Sequence, residues 1–369
     1  MKILLLPNAL KGSLSAGQVI SIFKHHVPAL HTLRAWPISD GGDGFIDFFR
    51  TLDPRAQFVY TTAKNAFLKN KRTSFLLLSD GKTAIIETAR ICGLAATRPE
   101  ELAPLSASSY GVGQVILKAI EKGAKKIYVG LGGVACNDGG AGMAAACGAT
   151  LWDEKGHPLA SGAKPLLKLA CLDLSPLQKK IKGVRLFGVT DVTNPLLGPK
   201  SSAKVFGPQK GANAHDVKIL DKAMARWARV LRQTTGKNLS HVPGTAAAGA
   251  IAAGLLGCFK AQLLPGSDFL LQKTSLDSQA KWADILITCE GKLDVQTLFG
   301  KAPLAVLKLA KKYNKPVLFI CGQNALCARA LATYHPCAIL SLTDLAKNKE
   351  SAKKHAAHYL ARVCETLFK

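Results

Sequence analysis

The strongest constraint in this chain is a repeated juxtaposition: short apolar runs that read as strands end in glycines mixed with carboxylates or amides. After residues 3–7 come Asn8, Lys11, Gly12 and Ser13, and after 32–38 come Asp40, Gly41, Gly42, Asp43 and Gly44. After 126–130 come Gly132 and Gly133, then Asn137, Asp138, Gly139 and Gly140. Residues 184–189 lead into Asp191 and Asn194-Pro195, and 285–288 into Glu290, Gly291 and Asp294. One such cluster is ordinary turn chemistry. Their recurrence at strand ends points to ligand binding, because open parallel sheets bind ligands outside the carboxyl ends of their strands. Glycines let the backbone approach a ligand closely, and successive N–H groups form anion-binding nests. Carboxylates beside a nest suit a general base, or Mg²⁺ on phosphates.

The pattern along the chain predicts two domains, as does a length of 369 residues. Strand 3–7, helix 15–27, strand 32–38 and a helix starting at 45 form one β-α series. Residues 57–62, 72–78 and 83–87 then read as strands joined by tight turns, an antiparallel piece that marks a change of domain. A helix over 109–122 and strands over 126–130 and 184–189 follow. The β-α series returns with strand 285–288, helix 302–312, strands 316–321 and 338–342, and helix 351–367. The expected fold is α/β: a flavodoxin-like, doubly wound parallel-sheet domain from 1–60 and 265–369, with a second, mixed-sheet α/β domain, 61–264, inserted.

Composition narrows the class. Apolar residues are 48% and charged residues 20%, which describes a chain with a sizeable core rather than a disordered one. The uncharged stretch 242–259 is too short and too rich in Ala and Gly for a membrane span, and reads as a buried helix. The first ten residues read as a strand, not a signal peptide. The 10 cysteines contain no C-x-x-C pair and mostly lie in apolar runs, which implies a reducing, cytoplasmic location. A net charge of +25 raises the question of a nucleic-acid partner. The Lys and Arg residues are spread along the chain without aromatic interleaving, so the expectation is a basic surface that attracts small anions. Lys200 and Lys204 read as part of that surface.

Several familiar signatures are missing. Gly81-Lys82-Thr83 has Leu76 where a P-loop needs its first glycine. Gly130-x-Gly132-x-x-Ala135 fits the loose dinucleotide pattern, but Asn137 to Gly140 interrupts the helix that should begin there. No G-x-S-x-G elbow is present.

At these same positions the chain resembles the type 1 glycerate kinase family. The resemblance rests on Pro7 to Ala16, Ser39 to Phe45, Gly130 to Met143, Asp191 with Asn194-Pro195-Leu196, and Val205 to Ala212. It continues through Pro243-Gly244, Ala248-Gly249, Leu264-Pro265-Gly266 and Gly291 to Pro303. It covers nearly the whole chain in order, and implies Mg²⁺- and ATP-dependent phosphorylation of a hydroxyl of D-glycerate, with 2-phosphoglycerate the favoured product. Asn8, Phe45, Val134, Cys136 and Cys289 depart from the family pattern beside the inferred site. They leave open a kinase for another small hydroxy acid, or a non-catalytic ligand-binding relative.

Combined with the strand-end reading, the resemblance assigns roles. Asp191 is the expected general base or metal ligand, and Lys11 and Lys210 stabilise phosphate or carboxylate charge. The backbone at Gly132, Gly133, Gly139 and Gly140 would hold phosphates, with Asn8, Ser13, Asp40, Asp43, Asn137, Asp138 and Asn194 around them. Glu290 and Asp294 would join from the other domain, Asp294 sharing the Mg²⁺ with Asp191. The expected partner is glycerate alone, with neither nucleic acid nor membrane.

Overall fold

A computed structural model describes residues 1–39, 41–42, 44–294, 297, 302–326, 331, 333–334 and 336–368. The strands in chain order are β1 (Lys2–Pro7), β2 (Thr32–Ala35), β3 (Gln57–Lys64), β4 (Asn70–Leu77), β5 (Thr83–Glu87) and β6 (Lys126–Gly130). They continue with β7 (Thr150–Trp152), β8 (Cys171–Asp173), β9 (Arg185–Thr190), β10 (Gln262–Pro265), β11 (Ile285–Leu293), β12 (Val317–Asn324) and β13 (Pro336–Ser341). The chain divides into two compact units. One comprises Met1–Asp40, Asp47–Leu52 and Gly266–Lys369, the other Gly41–Ile46 and Asp53–Pro265.

The first unit is built on one five-stranded sheet ordered β13-β12-β11-β1-β2, parallel throughout. Counted within the unit this is 2-1-3-4-5, the flavodoxin-like order. The ends of the chain meet at its centre, with Ile3 opposite Ile285 and Pro7 opposite Cys289. The residues of β1 alternate between two cores, as the period of a strand requires. Leu4 and Leu6 pack with the helices Leu276–Trp282 and Ala302–Lys312, and Ile3 and Leu5 with Ala16–His26 and Ala356–Leu367. With both faces covered, β1 is apolar without alternation, as buried parallel strands are. The helix Ala16–His26 starts where Ser15 and Gln18 complete a capping box.

The second unit holds a six-stranded mixed sheet, β10-β9-β6-β5-β4-β3. The hairpins β3–β4 and β4–β5 are antiparallel, and β5, β6, β9 and β10 run parallel. One face carries the largest core, in which Ile86, Ile127 and Val129 pack with the helices Tyr110–Glu121, Ala141–Ala146, Ala214–Thr235 and Ala247–Cys258. The small hairpin β7–β8 stands apart from that sheet.

Several boundaries differ from the sequence reading. The strand expected over 285–288 runs on to Leu293, because Lys292 and Leu293 still pair with Gln323 and Asn324 of β12. Glu290 therefore lies within a strand. Ladder pairing of β2 stops at Ala35, although Trp36 and Ile38 still donate to Leu5 and Pro7. The single helix expected over 351–367 is two, Lys349–Lys354 and Ala356–Leu367, broken at His355. The apolar stretch 242–259 does contain a buried helix, Ala247–Cys258, but Ala248, Gly249 and Ala250 are left-handed inside it. The longest helix, Ala214–Thr235, was not anticipated, although Asn213 with Asp216 forms its capping box and Gly236 ends it in a left-handed conformation. Cys171 is exposed, while Cys92, Cys136, Cys147, Cys258, Cys289, Cys321 and Cys364 are buried. Among the described residues no helix is long and apolar enough to cross a membrane.

Candidate active site

In the second unit, three neighbouring parallel strands bring their carboxyl ends to one edge of the sheet. Glu87 ends β5, Gly130 ends β6, and Thr190 ends β9 ahead of Asp191. The segment containing Gly41, Gly42 and Gly44 to Ile46 lies across these ends. A side chain at Gly41 would put its Cβ 2.2 Å from the Val189 carbonyl oxygen. One at Gly132 would lie 2.7 Å from Gly42 Cα, and one at Gly130 would meet the Gly41 oxygen at 2.5 Å and the Phe45 ring at 2.6 Å. These glycines are therefore needed for backbone-to-backbone approach. Phe45 is fully buried, and Gly130 makes room for its ring. Asp40 and Asp43 lie outside the described residues.

The stretch from Cys136 to Met143 is packed inward. Asp138 is fully buried. Its Oδ2 accepts from Ser109 N (2.7 Å), Ser109 Oγ (3.0 Å), Ser108 Oγ (3.1 Å) and Gly142 N (3.2 Å), and its Oδ1 from Gly140 N (3.3 Å). Burial pushes its carboxyl above the usual carboxylate range, against the opposing pull of those hydrogen bonds. Gly139 donates to the Gly249 oxygen (3.1 Å), and the Trp227 indole donates to the Gly139 oxygen (2.9 Å). The N–H groups of Gly139, Gly140 and Gly142 are thus engaged within the protein, where they brace this loop.

Lys210 belongs to the same brace. It is buried, and its Nζ donates to the Cys136 oxygen (2.6 Å) and to Asn137 Oδ1 (3.0 Å). Burial lowers its pKa from the ordinary lysine value. The left-handed turn at Gly249 closes over this group, since a Cβ there would stand 2.0 Å from the Cys136 oxygen and 2.9 Å from Lys210 Nζ. Lys210 and Asn137 therefore hold one another, in a geometry that serves the 136–142 loop.

Near the end of β9, Asp191 is half-buried, and the Val192 N–H donates to Thr190 Oγ1 (3.1 Å). Asn194 Nδ2 donates to the Lys200 oxygen (2.9 Å), which ties down the exit turn. Gly133 has a positive φ of 62°, and its oxygen accepts from Leu94 N at 2.7 Å.

In the first unit the turn after β1 closes on itself. Asn8 N donates to the Cys289 oxygen (3.0 Å), Asn8 Oδ1 accepts from Ala9 N (2.8 Å), and Ser13 Oγ donates to the Leu10 oxygen (2.8 Å). Gly291 lies against this turn, where a Cβ would stand 2.6 Å from Lys11 N. Lys11 and Gly12 are exposed. Glu290 is buried and accepts from Thr297 Oγ1 (2.7 Å). Thr297 Oγ1 in turn accepts from Asp294 N (3.2 Å), and Asp294 forms an ion pair with Lys292 (3.4 Å). Asn8, Lys11, Glu290 and Asp294 are therefore gathered around the ends of β1 and β11, the switch point of this sheet order.

The sequence reading passed over Glu87, Thr88, Ser108 and Ser109. Thr88 Oγ1 donates to the Gly130 oxygen (2.8 Å), and the two serines hold Asp138. Glu87 is itself the last residue of a strand end and carries the signal used elsewhere. The serines carry none, since their contact with Asp138 spans about thirty residues of sequence.

The profile of the glycerate kinase family matches residues 3–369. The chain belongs to the glycerate kinase family. Members of this family are kinases that transfer phosphate to an alcohol group. A glycerate kinase of Bacillus subtilis (strain 168) is 34% identical over 371 residues, covering 100% of this chain and 97% of its own. A glycerate 2-kinase of Escherichia coli (strain K12) is 35% identical over 326 residues, 87% of this chain and 85% of its own. A crystal structure from Salmonella typhimurium LT2, assigned as a glycerate kinase 2, superposes with a TM-score of 0.81 at 32% identity, covering 100% of this chain and 97% of that one. Cys136 uses its backbone oxygen, not its side chain, to hold Lys210.

Proposed function

We propose that the protein transfers the γ-phosphoryl group of ATP to a hydroxyl of D-glycerate, giving 2-phosphoglycerate. The observation that carries this reading is the match to kinases along residues 3–369, with Asp191 following directly on a parallel strand end. The relative named glycerate 2-kinase supports the 2-position.

Phosphoryl transfer asks a protein mainly for positioning and charge neutralisation. The substrate hydroxyl attacks the γ-phosphorus, the bond to the ADP oxygen breaks, and the hydroxyl proton passes to the carboxylate of Asp191. Lys11, exposed in the turn after β1, neutralises phosphate or carboxylate charge. Asn8, Ser13, Glu290 and Asp294 shape the binding surface at β1 and β11, and Gly132, Gly133 and Asn194 the one at β6 and β9. Lys210, Asn137, Asp138 and Gly139 act by holding the loop that follows β6.

Among the described residues no group of three or more His, Cys, Asp or Glu side chains is placed to hold a metal. Mg²⁺ on a nucleotide needs no such cage, since it is usually held by one or two carboxylates with phosphates and waters. Asp191 in one unit and Asp294 in the other are each carboxylates of that kind, and an ion at either would supply charge neutralisation on the phosphates.

The test is a coupled assay for ADP over a panel of small hydroxy acids, with the product identified by NMR. ATP consumption is expected only when D-glycerate and Mg²⁺ are both present. Turnover with another hydroxy acid and not with glycerate would reassign the substrate. Turnover without any acceptor, or none with any acceptor tried, would overturn the kinase reading for this chain.

A further inference from the structure

We infer that Glu87 is a positioning residue, which clamps the segment carrying Gly41 and Gly42 onto the carboxyl ends of β5, β6 and β9. The inference rests on the kinase reading above for its kinetic consequence, though not for its structural one. Glu87 is 4% exposed, and a carboxylate so buried is costly unless something compensates it. Its Oε2 accepts from the Ile46 N–H at 3.1 Å. That N–H lies in the first turn of the helix Phe45–Leu52, where backbone donors have no partner inside the helix and a negative charge is favoured. The Arg90 guanidinium stands 3.8 Å from the same oxygen.

The clamp completes a three-point attachment. Gly41 sits against Val189 of β9, Gly42 against Gly132 just beyond β6, and Ile46 is tied to Glu87 of β5. The turn between is tight, with Phe45 N donating to the Gly42 oxygen at 3.2 Å and Gly41 and Gly44 at φ of 90° and 87°. Two of the three points are close glycine backbone contacts. At the third, Glu87 supplies a buried side-chain acceptor for a backbone N–H. The segment lies against Gly132 and against the end of β9 that leads to Asp191, so a shift of it would disturb residues of the proposed site. Small misplacements at a reacting centre can cost on the order of 10²-fold.

The test compares Glu87→Ala, Glu87→Met and Glu87→Gln. Methionine keeps the buried volume without an acceptor, should the alanine variant not fold. Glutamine keeps a carbonyl for the Ile46 N–H but loses the charge. Two readouts are taken: kcat/KM in the assay above, and hydrogen exchange of peptides covering residues 41–52. Alanine and methionine are expected to lower kcat/KM by roughly 10²-fold and to speed exchange of the Ile46 amide. Glutamine is expected to restore both to within a few-fold of wild type. An unchanged exchange rate in both apolar variants would overturn the clamp. A glutamine variant as impaired as alanine in kcat/KM, with wild-type exchange, would overturn it in favour of a role for the charge. A wild-type protein inactive on every hydroxy acid would sink the kinase reading and leave the exchange comparison to decide the clamp.

Discussion

Replacing Asp191 by asparagine is expected to slow turnover by roughly 10²–10⁴-fold, the usual cost of losing a general base, with little change in melting temperature. The amide is nearly the same size and keeps an oxygen acceptor, so a residue that only shapes its turn would tolerate it. At this bend the Val192 N–H donates to Thr190 Oγ1, and Asn194 ties down the exit through the Lys200 oxygen. Those contacts survive the substitution. What asparagine cannot do is take the proton of the attacking hydroxyl or neutralise a cation. Single-turnover measurements locate the loss in the chemical step. They should show a slow burst at saturating ATP and glycerate, with binding of each substrate little altered. A folded Asp191→Asn enzyme within a few-fold of wild type, about 1 kcal/mol or less in the barrier, would remove Asp191 from the mechanism.

How far a sequence reveals such a site depends on how local the contacts are. The strand ends at Pro7 and Gly130 were legible because an apolar run followed by glycine and polar residues has a physical meaning within a few positions. The parallel pairing of β1 with β11 was legible for the same reason, since both chain ends showed β-α alternation. The helix Ala214–Thr235 carries local signals as well, in its Asn213–Asp216 capping box and its final glycine. What single-residue signals do not encode is which side of a glycine-carboxylate cluster faces inward. Asn137, Asp138, Gly139 and Gly140 look like a ligand loop. The partners that claim their polar groups come from about thirty residues upstream in Ser108 and Ser109, and from about 110 residues downstream in Gly249. Lys210 shows the same effect. In sequence it is a lysine in a glycine-rich run, and only the fold places Cys136 and Asn137 against its ammonium.

Asp138 gives this distinction an experimental edge, because its removal should be felt in stability and not in substrate binding. Asp138→Ala leaves two serine hydroxyls and three backbone N–H groups without their acceptor in a buried place. Breaking a buried charged network in this way typically costs about 3–5 kcal/mol. Asp138→Asn is milder. Its oxygen can take the crowded Oδ2 position, but its NH₂ then faces the Gly140 N–H, two donors together, at a cost of about 1–3 kcal/mol. The pH dependence follows from the same burial. The folded pKa is raised above the unfolded value, so between the two the native state holds a proton that the unfolded chain has lost. Stability contributed by this group is therefore full below the ordinary carboxylate range and falls as pH rises through the raised pKa. Urea unfolding of wild type and Asp138→Asn across that acid range should show this slope in the first and not in the second. The folded fraction of the variant should keep its KM for ATP and glycerate to within about twofold, roughly 0.4 kcal/mol. A variant with wild-type unfolding midpoints and a collapsed kcat would place the Asp138 carboxylate in the chemistry, and would mean that the brace opens during turnover.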